Sequence, residues 1–109
     1  MGYGTCLALA EHGRPVSVWD IQADAAEATA AECAERFGVP TDVQVVDLAD
    51  AAGLEKAVPG TLKTLGGVGG LAYCAGVNAW DEGPHDVGQT GWEHVMGVNL
   101  RGAAILTRW

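Results

Sequence analysis

The sequence predicts a single α/β domain with a parallel sheet flanked by helices. The first reason is the order of local patterns, which alternate between helical and strand periodicity along all 109 residues. The second is composition: 49% of residues are hydrophobic and 16 are glycine, so small residues favour close packing of helices on a sheet. A chain of this length accommodates one domain at most.

The first half of the chain contains two predicted helices and one predicted strand. Apolar residues recur at helical spacing over Thr5–Glu11, and Gly13 then supplies a stop signal. Pro15–Asp20 is short and rich in β-formers, and a proline is tolerated at the first residue of a strand. An amphipathic pattern over Asp24–Phe37 predicts a helix that Gly38 closes.

The second half continues the alternation. A strand is predicted over Val43–Leu48, followed by a helix with Asp50 at its N-cap, and a further strand over Leu71–Ala75 runs into Gly76. Pro59–Gly60 is expected to break or kink the intervening helix. Thr90 and Glu93 match a capping box, which predicts a final helix reaching Trp109.

Charge and composition exclude several classes of partner. A net charge of −8 would repel a phosphate backbone or an anionic membrane surface, so neither nucleic acid nor membrane is expected as a partner. No apolar run approaches the roughly 18 residues that span a bilayer, and we expect a cytoplasmic protein. The three cysteines and three histidines lack metal-ligand spacing, so no metal site is predicted.

The carboxyl ends of parallel strands are where ligands bind in such folds, and Asp20, Asp47 and Gly76 fall there. Asp20 follows Gly2 at about the spacing that lets an acid reach the ribose of a dinucleotide whose pyrophosphate lies on the first helix. A carboxylate there disfavours a 2′-phosphate, so NAD is expected rather than NADP. Equally open is the alternative that these residues only form turns or caps.

Asn99 is the most informative single residue. In the predicted last helix it falls on an apolar stripe, which we expect to face inward, formed by Trp92, Val95, Met96, Ala103 and Leu106. An amide on such a stripe needs a hydrogen-bond partner, either for structure alone or to hold a backbone kink or water beside a catalytic base. Trp80 and Trp92 could line a substrate mouth or simply pack the loop between them.

Five short segments in this order resemble the short-chain dehydrogenase/reductase family. Met1–Ala10 is similar to the end of that family's glycine-rich loop and its first helix, with Gly2 as the last glycine. The other four segments are Val18–Asp20 followed by Ile21, Val46–Leu48, Tyr73–Gly76 and Val98–Gly102. The resemblance implies an incomplete Rossmann-like doubly wound sheet. It also implies an NAD-linked oxidoreductase of alcohol or carbonyl substrates, with an oligomer formed through the last helix.

The resemblance also assigns roles to residues. Asn99 matches the family's structural and catalytic asparagine. The cofactor-binding matches are Gly2, Asp20, Ile21, Asp47, Leu48, Ala75 and Gly76. Tyr73 and Cys74 stand where the family has two asparagines. The family's catalytic Tyr-x-x-x-Lys has no counterpart, since Leu7 and Val77 lie four residues after the two tyrosines.

The family's strand order places its first strand between our segments 15–20 and 70–75, and the sequence has no match to that strand. Either the two flanking strands pair directly or the chain is not an independently stable domain. We therefore expect a piece of a longer dehydrogenase that is not catalytically competent alone. Two alternatives remain: a non-catalytic nucleotide-binding module, and a methyltransferase with the same winding.

Overall fold

The structure is a computed structural model that describes residues 1–78 and 88–109. Its elements are α1 (Gly2–Glu11), β1 (Val16–Asp20), α2 (Ala23–Phe37), β2 (Thr41–Val45), α3 (Ala51–Leu65), α4 (Gln89–Met96), a π-helical stretch Gly97–Gly102 that we call the π segment, and α5 (Ala103–Leu106). The alternation of helices and strands confirms the predicted α/β class for the first 65 residues.

The two strands pair in parallel. Val16 lies opposite Thr41, and Asp20 lies opposite Val45, so the five residues of each strand are in register. The ladder extends one step further, because the Val46 amide donates to the Asp20 carbonyl at 3.1 Å. Both strands therefore end at the same edge, and the residues that follow them start from neighbouring positions.

The main core lies on one face of this sheet. Val16 and Val18 of β1 are buried against α2, which contributes Ala30 and the fully buried Cys33. Ala10 of α1 completes the same cluster. Small side chains on the helices allow their backbones to approach the strands closely, as the composition predicted.

The opposite face of the sheet carries a polar cluster centred on Asp42. Ser17 and Thr61 each donate a hydroxyl hydrogen bond of 2.6 Å to Oδ2 of Asp42, and the Gln44 amide donates to the same oxygen at 3.0 Å. The Trp19 indole donates to the Ser17 hydroxyl at 2.7 Å. Since Ser17 lies on β1, Asp42 on β2 and Thr61 on α3, this cluster joins the helix to both strands.

Burial of the Asp42 carboxyl acts to raise its pKa, but the hydrogen bonds from Ser17, Thr61 and Gln44 outweigh it. The pKa of Asp42 therefore lies below its ordinary value. No basic side chain takes part in these hydrogen bonds, so the hydroxyls and the amide alone stabilise the charge.

The second strand is displaced from its predicted position. It covers Thr41–Val45 rather than Val43–Leu48, so the predicted bounds are wrong and Asp47 lies after the strand rather than in it. Asp47 instead accepts a hydrogen bond from the Ala49 amide at 2.8 Å, which turns the chain before a strand could continue. The Asp50 cap is confirmed, because its side chain accepts from the Ala52 amide.

The expected break at Pro59–Gly60 does not occur, and α3 runs through both residues to Leu65. Proline removes the hydrogen bond to the carbonyl four residues earlier, at Glu55. Both Glu55 and Pro59 are exposed, so water can satisfy that carbonyl. Leu54 and Val58 hold the helix on the sheet by their burial.

The predicted strand over Leu71–Ala75 is wrong, since residues 67–78 form no helix or strand. A strand is defined by its pairing, and within the described residues β1 pairs with β2 alone. The alternative of direct pairing between segments 15–20 and 70–75 is therefore also wrong. This segment is held by side-chain hydrogen bonds instead.

The last helix differs from its prediction at both ends. It begins at Gln89 with Gly88 as N-cap and no side-chain cap, so the Thr90–Glu93 capping box does not form. The π segment interrupts it, and α5 ends at Leu106 before reaching Trp109. Trp92 is 59% exposed, so its expected inward orientation is wrong. Trp80, the other proposed mouth residue, lies outside the described residues.

Asp42→Asn should lower the free energy of unfolding by about 1 kcal/mol at pH 7, because a neutral amide accepts these hydrogen bonds less strongly. The folded pKa lies below the ordinary value of about 3.9, so the carboxylate's contribution is present above about pH 4. It is lost as the pH falls through the folded pKa.

Urea unfolding followed by circular dichroism at pH 7, 5 and 3 measures this difference between wild type and variant. The gap should narrow between pH 5 and pH 3. Asp24→Asn, which changes an exposed carboxyl in the first turn of α2, is the matched control. A gap of the same size at pH 3 would contradict the assignment of the stabilisation to ionised Asp42.

Candidate functional site

The candidate site lies at the carboxyl ends of the two strands. Asp20 is the last residue of β1, and Asp47 follows β2 by two residues, so the shared register brings the two acids to one edge. Both carboxylates are exposed, and Ile21 beside Asp20 is 64% exposed. The three side chains are thus accessible to a ligand lying across the strand ends.

Each of the two acids uses one oxygen to shape its own turn. Oδ1 of Asp20 accepts from the Gln22 amide at 2.9 Å, and Oδ1 of Asp47 accepts from the Ala49 amide at 2.8 Å. Both acids therefore form turns, as the sequence allowed, and these hydrogen bonds do not test a binding role. Among the described residues nothing donates to either Oδ2, so a ligand hydroxyl can still bind there.

The beginning of α1 has first-turn amides that no side chain caps. Met1 is the N-cap and provides no side-chain hydrogen bond, so the first-turn N–H groups, including that of Gly2, lack intrahelical acceptors. A Cβ on Gly2 would lie 3.5 Å from Cβ of Cys74, so the helix start is next to the Tyr73–Gly76 segment. Such a helix start is suited to binding an anion.

Asn99 holds the segment after Gly76 by its main chain. Its Nδ2 donates to the Val77 carbonyl, and its Oδ1 accepts from the Val77 amide, both at 2.8 Å. A Cβ on Gly76 would lie 3.5 Å from the same Oδ1. Asn99 is exposed rather than buried on the expected apolar stripe, but its amide has the partner that the sequence demanded.

The π segment also contacts the turn after β2. Arg101 donates to the Ala49 carbonyl at 3.1 Å, and Leu48 is half-buried near Gly102. Through Arg101, the π segment that carries Asn99 thus contacts the turn that contains Asp47 and Leu48. Through its hydrogen bonds to Val77, Asn99 also holds the segment that contains Ala75 and Gly76. Sequence reasoning missed Val77 and Arg101 because neither side chain has a pattern that marks a contact with a remote main chain.

The described residues contain neither a cluster of three potential metal ligands nor a helix that is long and apolar enough to cross a membrane. His85 lies outside the described residues. Around the strand ends, the carboxylate oxygens can accept hydrogen bonds from hydroxyl groups, and main-chain amides of a helix start can donate to a phosphate.

Comparison with known proteins identifies the family. The model of the short chain dehydrogenase family matches residues 1–109. The chain belongs to this family. No curated protein matches the chain.

Several solved structures share the fold. L-sorbose reductase from Gluconobacter frateurii, complexed with NADPH and L-sorbose, is 25% identical with a TM-score of 0.86, over 98% of this chain and 41% of that one. A 3-oxoacyl-[acyl-carrier protein] reductase from Brucella melitensis, in complex with NAD, is 29% identical with a TM-score of 0.84, over 99% and 43%. The chain therefore spans less than half the length of these relatives, and their Rossmann-type fold agrees with the predicted class.

Asn99→Ala should remove both hydrogen bonds to Val77 and loosen the segment after Gly76. We expect the Val77 amide to exchange with solvent about tenfold faster, which corresponds to roughly 1.4 kcal/mol for a lost hydrogen-bonded pair. Asn99→Asp should retain most of the protection, because a carboxylate still accepts from the Val77 amide.

Hydrogen exchange followed by nuclear magnetic resonance checks both variants. Asn78→Ala is the matched control, since Asn78 is exposed and donates no hydrogen bond within the described residues. Equal exchange at Val77 in wild type and Asn99→Ala would show that the amide pair does not hold the segment.

Proposed function

We propose that this chain is the cofactor-binding part of an NAD-dependent short-chain oxidoreductase that acts on a small-molecule alcohol or carbonyl substrate. The main support is the meeting of Asp20 and Asp47 at one strand edge, together with a helix start whose first-turn amides no side chain caps and a glycine segment fixed by Asn99. Bound NAD would supply the nicotinamide that carries the hydride.

The pyrophosphate end of the cofactor would be held by main-chain groups of α1. Gly2 has no side chain to obstruct an approaching phosphate, and the first-turn amides together with the helix dipole favour an anion. There is no acidic side chain in the first turn of α1 to oppose it.

The ribose of the adenosine half would bind Asp20. Its Oδ2 is open to a 2′-hydroxyl, while the Gln22 amide fixes the orientation of the carboxyl. A 2′-phosphate would meet a carboxylate of the same sign, and no basic residue follows within α2 until its last turn. This argues for NAD over NADP, although relatives with NADPH and with NAD both exist.

The remaining site residues form the walls of the groove. Ile21 and the Asp47–Leu48 turn would contact the adenine, and Ala75–Gly76 would let the cofactor approach the main chain closely. Asn99 uses both groups of its amide on Val77, so its role in binding would be to hold this wall in place.

Chemistry by these 109 residues alone is not expected. A general acid or base for hydride transfer requires a titratable group at the carbonyl oxygen, which the family supplies with Tyr-x-x-x-Lys. Tyr3 instead donates to Glu32 at 2.9 Å, and Tyr73 donates to the Val98 carbonyl. Neither tyrosine has a lysine four residues later.

Self-association through the last helix remains part of this proposal. Trp92 is 59% exposed and Leu100 is 57% exposed, so α4 and the π segment present apolar surface. A second copy of the chain would remove that surface from water.

Titration of the chain with NAD, NADP and S-adenosylmethionine by calorimetry tests the function. We expect NAD to bind most tightly, and Asp20→Asn to reduce the preference for NAD over NADP by about tenfold, since one charged hydrogen bond contributes roughly 1.5 kcal/mol. Asp24→Asn, which removes a nearby exposed carboxylate, should leave the preference unchanged.

The other outcomes separate the alternatives. Tight binding of S-adenosylmethionine alone would favour the methyltransferase that shares this winding. An equal loss of preference in Asp20→Asn and Asp24→Asn would indicate a general charge effect rather than a contact with the ribose. Binding of NAD in a protein with flanking sequence but no oxidoreductase activity would favour the non-catalytic module.

A further inference from the structure

Tyr73 makes a contact that the proposed function does not use. It is half-buried in the segment before Gly76, and its hydroxyl donates a hydrogen bond to the main-chain carbonyl of Val98. Val98 directly precedes Asn99 in the π segment. Tyr73 thus binds the main chain directly before Asn99, and the side-chain amide of Asn99 in turn binds the main chain of Val77.

Gly102 makes this contact possible. A Cβ at this position would lie 2.6 Å from the Tyr73 hydroxyl and 2.5 Å from the Leu48 carbonyl oxygen. Both distances are too short for a carbon atom to fit without movement of its neighbours. The absence of a side chain therefore lets the Tyr73 segment and the turn after β2 meet on the same point of the π segment.

The π segment itself needs external support. Turns with hydrogen bonds to the fifth residue are rare and less regular than α-helical turns, and they persist where tertiary contacts stabilise them. Asn99 lies in the middle of Gly97–Gly102, so the width of this turn sets where its amide points. A donor fixed on the Val98 carbonyl acts directly on that geometry.

We propose that Tyr73 is a positioning residue: its hydroxyl, bound to the Val98 carbonyl above Gly102, holds the π segment in the shape that aims Asn99 at Val77. That Asn99 and Val77 border a cofactor rests on the proposed function, whereas the positioning of Asn99 does not. The phenol ring carries its donor farther from the main chain than an asparagine amide could. This length allows Tyr73 to reach from the segment before Gly76 to the π segment.

Burial raises the pKa of Tyr73, so the hydroxyl stays protonated and can donate throughout the neutral range. The contact is also independent of α1 and α2, where the other tyrosine, Tyr3, binds Glu32.

Tyr73→Phe removes the donor and keeps the ring, and Tyr3→Phe is the matched control because it removes one tyrosine hydrogen bond elsewhere. In nuclear magnetic resonance spectra of the 109-residue chain, Tyr73→Phe should shift the Asn99 side-chain amide signals toward those of a free amide. The Val77 amide should exchange about fivefold faster. Tyr3→Phe should change neither. Unchanged Asn99 signals in folded Tyr73→Phe would overturn the proposal.

Gly102→Ala provides a second measurement. The added methyl would displace the Tyr73 hydroxyl from Val98 and would also press on the Leu48 carbonyl, so a shift of the Asn99 signals is expected and its absence is the decisive result. If Tyr73→Phe is unfolded by circular dichroism while Tyr3→Phe is folded, the nuclear magnetic resonance spectrum of Gly102→Ala decides whether Tyr73 positions Asn99. Asn99 signals identical to wild type in that variant would overturn the proposal.

A titration with NAD separates this inference from the proposed function. If wild type binds NAD, Tyr73→Phe should weaken binding by a fewfold, and Thr29→Ala, which removes a hydroxyl hydrogen bond within α2, should not. If wild type fails to bind NAD, the proposed function fails, and the Asn99 signals still decide whether Tyr73 positions that residue.

Discussion

The parallel register between β1 and β2 fixes where the two acids of the candidate site, Asp20 and Asp47, lie. Five paired residues bring Asp20 opposite Val45, and the added hydrogen bond from Val46 starts the Asp47 turn at the same edge. A shift of one residue would reverse the face of every side chain in one strand. It would move Val16 and Val18 out of the core and Ser17 away from Asp42, so the apolar face and the polar face both select the observed register.

The second half of the site depends on side chains rather than on the sheet. The segment Leu71–Asn78 makes no strand pairs with β1 in the described part of the chain. It is positioned by Asn99 on Val77, by Tyr73 on Val98 and by the proximity of Cys74 to Gly2. The position of Leu71–Asn78 therefore depends on the position of the π segment. A change in the last helix reaches Gly76 through the Asn99–Val77 and Tyr73–Val98 hydrogen bonds.

Local signals in the sequence were sufficient where the responsible contact is itself local. Gly38 ends α2 in the left-handed conformation with φ 67°, and Asp50 caps α3, as their positions predicted. The parallel sheet and the gathering of Asp20 and Asp47 also followed from the alternation of patterns. These features depend on a few neighbouring residues whose chemistry favours one conformation.

Prediction failed where a remote partner decides the outcome. Leu71–Ala75 has strand composition, but a strand requires a neighbour with free main-chain groups. Pro59 carries a breaking signal, but the burial of Leu54 and Val58 keeps α3 continuous. The π segment has no periodic signature of its own, and the groups it contacts, Tyr73 and the turn at Leu48, are remote from it in sequence.

Among residues 1–78 and 88–109, β1 pairs with β2 on one side only, which is why these side-chain contacts matter. An edge strand carries main-chain donors and acceptors that require water or another strand. Within the described residues that edge contributes nothing to holding Leu71–Asn78, so a loss of the Asn99 or Tyr73 contact is not compensated by a ladder of main-chain hydrogen bonds. The acids at the strand ends would stay in place through the register with β2, while the glycine wall opposite them would move. If the chain binds the proposed cofactor, its affinity should therefore respond more strongly to changes in the π segment than to changes in the stability of the sheet.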